Sequence, residues 1–168
     1  REPVPHYIPS WEGHHTPLIE KHPFQLLTPH PRFSIHTHHD SHISWLNEIP
    51  AQRLIKDGYA WWRVRINPAD AAALGILEGD IVELYNDRGS VLCAAMVTER
   101  IRKGVLHSYG SSAKYDPLHG DPGATDKGGC VNLLTSSRFL SKYAQGMTNN
   151  TCLCSIRKWS EGVTGQGR

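Results

Sequence analysis

The first hydrophobic pattern in the chain is Phe24-Gln25-Leu26-Leu27-Thr28, a short and mostly apolar strand. It stops at Pro29-His30-Pro31, because proline cannot continue a central ladder. Trp61-Trp62-Arg63-Val64-Arg65-Ile66 predicts a second strand, rich in β-forming residues. Asn67 to Gly75 then predicts a helix of about two turns. Asn67 is a good N-cap, Pro68 sits at the first helical position, Asp70 falls in the first turn, Ala71-Ala72-Ala73-Leu74 are strong helix formers, and Gly75 supplies a left-handed stop. Residues 77–80 predict a turn. Residues 81–85 and 90–98 predict paired strands joined at Asn86-Asp87-Arg88-Gly89. Arg102-Lys103-Gly104 is another turn, leading to a fifth strand at 105–109. The last strand, 151–159, alternates, with Cys152, Cys154 and Ile156 on one side and Leu153, Ser155 and Arg157 on the other. Residues 45–47 predict a short helical turn, and 131–135 a short extended piece or turn.

Polar segments separate these elements. Residues 1–21 contain Pro3, Pro5, Pro9, Gly13 and Pro17 without periodicity, and read as a linker from a preceding domain, wandering over a surface. Residues 33–44 form a polar, histidine-rich loop. Residues 110–129 hold five Gly and two Pro, the mark of a long loop that serves or covers something. Residues 161–168 are a Gly-rich tail, so the domain proper runs from 22 to 160. Six or seven strands, one short helix and long loops predict a mainly β barrel or sandwich.

Composition narrows the function classes. A chain of 168 residues, 39% hydrophobic and 20% charged, is one globular domain with appendages rather than a disordered segment. No apolar run approaches the ~18–20 residues of a membrane span. Eighteen Lys+Arg against 16 Asp+Glu, with no basic stripe, argue against nucleic acid as a partner. The start at Arg1 is that of a mature product or of a piece cut from a longer chain, and the linker-like residues 1–21 favour the piece. Four Cys in a C-x-C and two single positions read as free thiols in a reducing compartment, hence a cytoplasmic protein.

The histidines are the compositional oddity, with nine of eleven lying between His6 and His42. The common nucleotide-binding and hydrolase signatures are absent. What remains is Thr28-Pro29-His30-Pro31-Arg32 followed by His36-Thr37-His38-His39-Asp40. In extended chain His36, His38 and Asp40 share a face, which is one route to a metal site, although the spacing matches no established ligand set. Thr28, His30, Arg32, Ser34, His36, Thr37 and His38 form a dense run of hydrogen-bond donors, suited to phosphate oxygens. The bland reading is a polar surface loop, and composition leaves it beside the anion reading. No nucleophile with an adjacent base and no carboxylate pair stands out, so the chain alone is expected to be non-catalytic. Asn149-Asn150-Thr151 matches the glycosylation sequon at a frequency chance accounts for.

The order of motifs is more specific than any of them. The chain runs through His22-Pro23-Phe24-Gln25-Leu26-Leu27-Thr28-Pro29-His30-Pro31-Arg32 and His36-Thr37-His38. Next come Val64-x-Ile66-Asn67-Pro68-x-Asp70-Ala71-x-x-Leu74-Gly75-Ile76 and Glu78-Gly79-Asp80-x-Val82. It then reaches Arg88-Gly89-Ser90, Lys103-Gly104-Val105 and Val131-Asn132-Leu133-Leu134-Thr135. This resembles the C-terminal molybdopterin-guanine-dinucleotide-binding domain of the dimethyl-sulfoxide-reductase family of molybdenum enzymes. The resemblance implies a six-stranded double-psi β-barrel with one or two short helices. It also implies bis-molybdopterin guanine dinucleotide, carrying molybdenum or tungsten, as the cofactor. Thr28, His30, Arg32, His36, Thr37 and His38 are implied cofactor contacts, as are His107, Ser108, Asn132 and Gln145, while the metal ligand and catalytic groups would lie elsewhere in a larger subunit. Phe139 to Asn150 departs from the family pattern, which weakens Gln145.

Within the family the pattern resembles the branch whose members transfer hydroxyl groups between trihydroxybenzenes, pyrogallol to phloroglucinol. Resorcinol hydroxylases, acetylene hydratase and arsenate or polysulfide reductases are neighbouring branches. Such enzymes imply an iron–sulfur small subunit and a small aromatic substrate. A reading from another class is a stand-alone double-psi barrel acting as an interaction module, which has no need of the histidine-rich loop.

Overall fold

The computed structural model describes residues 4–34, 43–110, 115–139, 143, 145–146 and 150–160. The elements in chain order are α1 (Leu18–Lys21), β1 (Phe24–Leu27), β2 (Arg53–Lys56), β3 (Tyr59–Ile66), α2 (Pro68–Ala73), β4 (Ile81–Asn86), β5 (Gly89–Val97), β6 (Val105–His107) and β7 (Cys152–Lys158). Short 3-10 turns occupy Ser44–Glu48 and Val131–Leu134. Strands pair in the order β3-β5-β4-β7-β1-β6, and β6 returns to β3. The six strands therefore close on themselves. β1–β6 and β3–β5 are parallel and the other pairs antiparallel, giving the expected double-psi barrel. Closure removes the free edges a flat sheet would expose.

Alternation along each strand fills the interior. Leu26, Val64, Leu84, Cys93, Leu106 and Cys154 all belong to one buried cluster. Each fully buried aliphatic side chain contributes about 1.5–3 kcal/mol relative to exposure. Cys152, Cys154 and Ile156 point into this core, the face the alternation predicts. Leu153 on the opposite face is nonetheless buried too, and its N–H donates to Glu12 of the N-terminal arm.

A second, smaller cluster lies outside the barrel wall, where Trp61, Leu92 and Ala94 pack with Leu54, Tyr59, Leu118 and Trp159. Its cover is β2, which the strand pattern does not predict. Asp57 and Gly58 both have positive φ, 53° and 76°, the geometry of a two-residue type I′ turn, so β2 folds back on β3 as a hairpin. Arg53-Leu54-Ile55-Lys56 carries no β-rich signature and leaves Ile55 exposed; tertiary packing on Trp61 makes it a strand. β6 is shorter than expected, since Ser108 and Tyr109 leave the ladder.

The helix forms as the capping residues dictate. Asn67 Oδ1 accepts the Ala69 N–H at 3.0 Å, Pro68 follows, and Gly75 has φ 65°. The described part of the N-terminal arm is exposed over most of residues 4–11 and anchored beyond them. It contains α1, and Glu12 is buried, taking both Nη groups of Arg88 at 2.7 and 2.9 Å and the Leu153 N–H at 2.9 Å. A buried carboxylate needs such partners, and those partners sit on the β4–β5 turn and on β7. The expected tail, 161–168, lies outside the described residues.

Candidate functional site

Parallel pairing of β1 with β6 sets Leu27 beside His107, so both chains leave the barrel at the same rim. The exits are then stitched together. Ser108 N–H donates to Leu27 O at 3.1 Å, and Gly110 N–H donates to Pro29 O at 2.9 Å. The contact is close enough to require glycine: a Cβ on Gly110 would lie 2.8 Å from Thr28 O and 3.6 Å from Asn132 Oδ1. Thr28, Gly110 and Asn132 therefore meet at one point, although they are widely separated in sequence.

Two supports fix this rim. Asn150 Oδ1 accepts the Thr28 N–H at 2.9 Å. The loop bearing Asn132 is held by Asp126, a fully buried carboxylate that accepts backbone N–H groups of Asp116, Gly128 and Cys130 at 2.7, 3.0 and 2.7 Å. Gly129 of the same loop, at φ 85°, lies against Trp62, whose indole N–H donates to Tyr109 O at 2.9 Å.

The sequence-predicted residues divide by environment. Thr28 is buried at the rim, and Asn132 is exposed there with no hydrogen bond to its amide among the described residues. His30 and Arg32 are exposed on the same exit loop, and the Arg32 guanidinium lies 5.4 Å over the Phe33 ring. Ser34 Oγ, three residues on from Pro31, is buried without a hydrogen-bond partner among the described residues. His36, Thr37 and His38 lie outside the described residues, as does Asp40 of the metal reading. Gln145 is exposed, and no hydrogen bond among the described residues brings it to the rim.

Ser108, an implied cofactor contact, lies one residue past the end of β6. It is fully buried and its hydroxyl donates to Arg63 O at 3.0 Å, because the strand-end geometry turns it into the wall. His107 faces outward from β6. Its Nδ1 lies 2.8 Å from Arg65 Nη1. Arginine only donates, so Nδ1 must be the acceptor and the imidazole is neutral with its proton on Nε2. Burial, reinforced by the Arg65 charge, holds the His107 pKa below the ordinary 6.5.

Three residues of the site escaped sequence reasoning: Gly110, Asn150 and Asp126. Gly110 carried a weak signal as the first residue after a predicted strand. Asn150 was visible only inside a sequon, and nothing local marks Asp126 as the anchor of its loop.

The rim suits a polyanionic ligand. Thr28, His30, Arg32, Ser34 and Asn132 include no carboxylate, and they supply hydroxyl, amide, imidazole and guanidinium donors. The Ser34 hydroxyl and the Asn132 amide have no hydrogen-bond partner among the described residues and are available to a ligand.

Comparison with known proteins agrees with this chemistry. The family model of the molydopterin dinucleotide binding domain matches residues 24–153. The large subunit of pyrogallol hydroxytransferase from Pelobacter acidigallici is 51% identical over 154 residues, covering 91% of this chain and 18% of that subunit. Trimethylamine-N-oxide reductase from Haemophilus influenzae is 38% identical over 158 residues, covering 90% of this chain and 18% of the enzyme. The chain thus spans about a fifth of the length of these relatives. Among solved structures, acetylene hydratase from Pelobacter acetylenicus superposes with a TM-score of 0.61 at 14% identity, covering 94% of this chain and 21% of that one. That likeness speaks for the fold.

Proposed function

Because the chain belongs to the molybdopterin dinucleotide-binding domain family, we propose that the Thr28–Gly110–Asn132 rim is where it holds its cofactor. The cofactor is bis-molybdopterin guanine dinucleotide carrying molybdenum, with tungsten as the alternative metal. When bound, this group supplies the metal at which oxygen or hydroxyl transfer takes place. The chain's own residues bind and orient. Asn132 offers an amide to a base or pterin edge, and Arg32, His30 and Ser34 offer donors to phosphate oxygens. His36, Thr37, His38 and Gln145 belong to the same proposal. The stitched exits of β1 and β6 keep the rim's shape before the ligand arrives, which lowers the entropy lost on binding.

For the whole protein we propose hydroxyl transfer between trihydroxybenzenes. The observation that carries this is the 51% identity to a hydroxytransferase large subunit, against 38% to an N-oxide reductase. The remainder of a large subunit, an iron–sulfur small subunit and a small aromatic substrate are the partners of this reading. Free thiols at the described cysteines favour the cytoplasm. No helix among the described residues is long and apolar enough to cross a membrane.

Two measurements test the proposal. In the intact protein, Asn132→Ala should lower the pterin and guanine nucleotide released on denaturation, with the fold unchanged. Full cofactor content in that variant would remove Asn132 from the site. Conversion of pyrogallol to phloroglucinol by the intact protein would support the transhydroxylase reading. N-oxide-dependent oxidation of a reduced dye, without that conversion, would replace it with a reductase.

A further inference from the structure

We propose that a groove on the outer wall of the barrel, distinct from the rim, binds a phosphate-bearing small molecule through Arg65 and Arg100. The groove has a volume of about 470 Å³ and is lined by Arg63, Arg65, Glu78, Met96, Thr98 and Arg100, among others; Thr28, Gly110 and Asn132 do not line it. Strand alternation creates it. Trp62, Val64 and Ile66 point into the core, so Arg63 and Arg65 of β3 point out.

The three guanidinium groups are not equivalent. Arg63 is buried and paired with Glu78, and it also donates to Ala95 O at 3.1 Å. Its Nε is buried and has no acceptor among the described residues. Arg65 has no carboxylate partner among the described residues. It donates to a neutral imidazole, His107, at 2.8 Å and to Ala51 O at 3.4 Å, and lies 5.0 Å over the Tyr109 ring. These contacts hold the guanidinium in place and leave its charge uncompensated. Arg100 is exposed, and its guanidinium has no ion pair among the described residues. Glu78, already committed to Arg63, also accepts the Val97 N–H at 2.6 Å.

The groove thus presents two cations with no carboxylate partner among the described residues. A single carboxylate would balance one charge. A phosphomonoester, carrying about −1.5 to −2 at neutral pH, balances both. Its tetrahedral oxygens accept from two guanidinium planes at once, the geometry for which arginine is better suited than lysine. Arg65 is already fixed by His107 and Tyr109, so little side-chain freedom is lost on binding. Met96 and Val97 add apolar wall for the rest of a small ligand.

The experiment titrates inorganic phosphate, pyrophosphate and acetate into the intact protein at low salt, with calorimetry and ³¹P line broadening as readouts. Saturable phosphate or pyrophosphate binding is expected, weakened about tenfold or more by Arg65→Gln and by Arg100→Gln, the size of one charge-assisted hydrogen bond. Arg157→Gln, whose guanidinium is committed to Glu83 at 2.6 Å, should leave it unchanged. Arg100 is exposed and its side chain makes no hydrogen bond or ion pair among the described residues, so Arg100→Gln keeps the test decisive if Arg65→Gln misfolds. Acetate binding as tightly as phosphate would overturn the phosphate assignment, and equal weakening by Arg157→Gln would reduce it to bulk charge. Absence of saturable binding would overturn the site. Loss of bound dinucleotide in Arg65→Gln or Arg100→Gln would merge the groove with the cofactor rim and overturn its independence; the rim proposal itself stands or falls on Asn132→Ala.

Discussion

At the scale of single residues, His107 shows how a side chain takes its chemistry from its neighbours. As a sequence position it is a histidine near the end of a predicted strand. In the fold, burial and the Arg65 cation both oppose protonation, and the hydrogen bond from Arg65 requires a lone pair on Nδ1. Its pKa should therefore be measured below 6.5 by NMR titration, with the proton of the neutral form on Nε2. Arg65→Gln should move the pKa upward, though not fully, because burial remains. The stability consequence has a definite sign. Below pH 6.5 the unfolded chain takes up a proton that the folded chain resists. The contribution is thus complete above that pH and declines as pH falls toward the folded value. A measured pKa at or above 6.5 would contradict the geometry. Gly129 makes the complementary point about backbone. A Cβ there would sit 2.1 Å from Trp62 Cβ, and φ is 85°. Gly129→Ala should cost about 3 kcal/mol or more, from overpacking together with left-handed strain. An unchanged denaturation midpoint would show that the loop and Trp62 can part cheaply.

At the scale of elements, α2 is the one most fully written in local sequence. Asn67, Pro68, Asp70 and Gly75 occupy the positions that the capping rules assign. Tertiary structure adds a second use for the same residues. The Asn67 amide donates to Ile101 O at 2.8 Å, and Asp70 Oδ2 accepts the Gly104 N–H at 2.8 Å. Removing both functions with Asn67→Ala should cost about 2 kcal/mol, roughly 1 for the cap and 1 for the lost bond. Asn67→Asp keeps the acceptor and should lose about half of that. Equal losses in the two variants, read from chemical denaturation, would mean the cap contributes nothing. β2 is the opposite case. Its four residues hold no strand signal of their own, and the Asp57-Gly58 turn and the apolar face of Trp61 make them a strand.

At the scale of the whole molecule, closure of the barrel joins distant segments, and the N-terminal arm is one of them. Glu12 ties the arm to the β4–β5 turn through Arg88 and to β7 through the Leu153 N–H. The Glu12 carboxylate side chain is only 10% exposed, and that of Arg88 32%. Arg88→Ala leaves a buried carboxylate with one backbone donor and should cost about 3 kcal/mol, the low end for a broken buried pair because Arg88 is partly solvated. Thermal or urea unfolding measures it. A loss below about 1 kcal/mol, the range of surface pairs, would mean that the arm is only loosely docked.

The positions of the strands other than β2, the capped helix, the β4–β5 hairpin and the mainly β class were legible in the sequence, because alternation, capping and turn preferences act over a few residues. The ordered motifs also carried the family, since each marks a turn, cap or strand end of the barrel. The exit loop at Thr28 and the later Asn132 were legible as chemistry but not as neighbours. Only parallel pairing of β1 with β6 brings them to one rim. Only the packed structure turns Ser108 inward, commits Asp126 to three backbone N–H groups, and leaves Arg65 charged beside a neutral His107. Those outcomes depend on which residues meet across the barrel. A local pattern cannot encode that, because the energies involved, burial and the pairing of polar groups, belong to contacts between segments far apart in the chain.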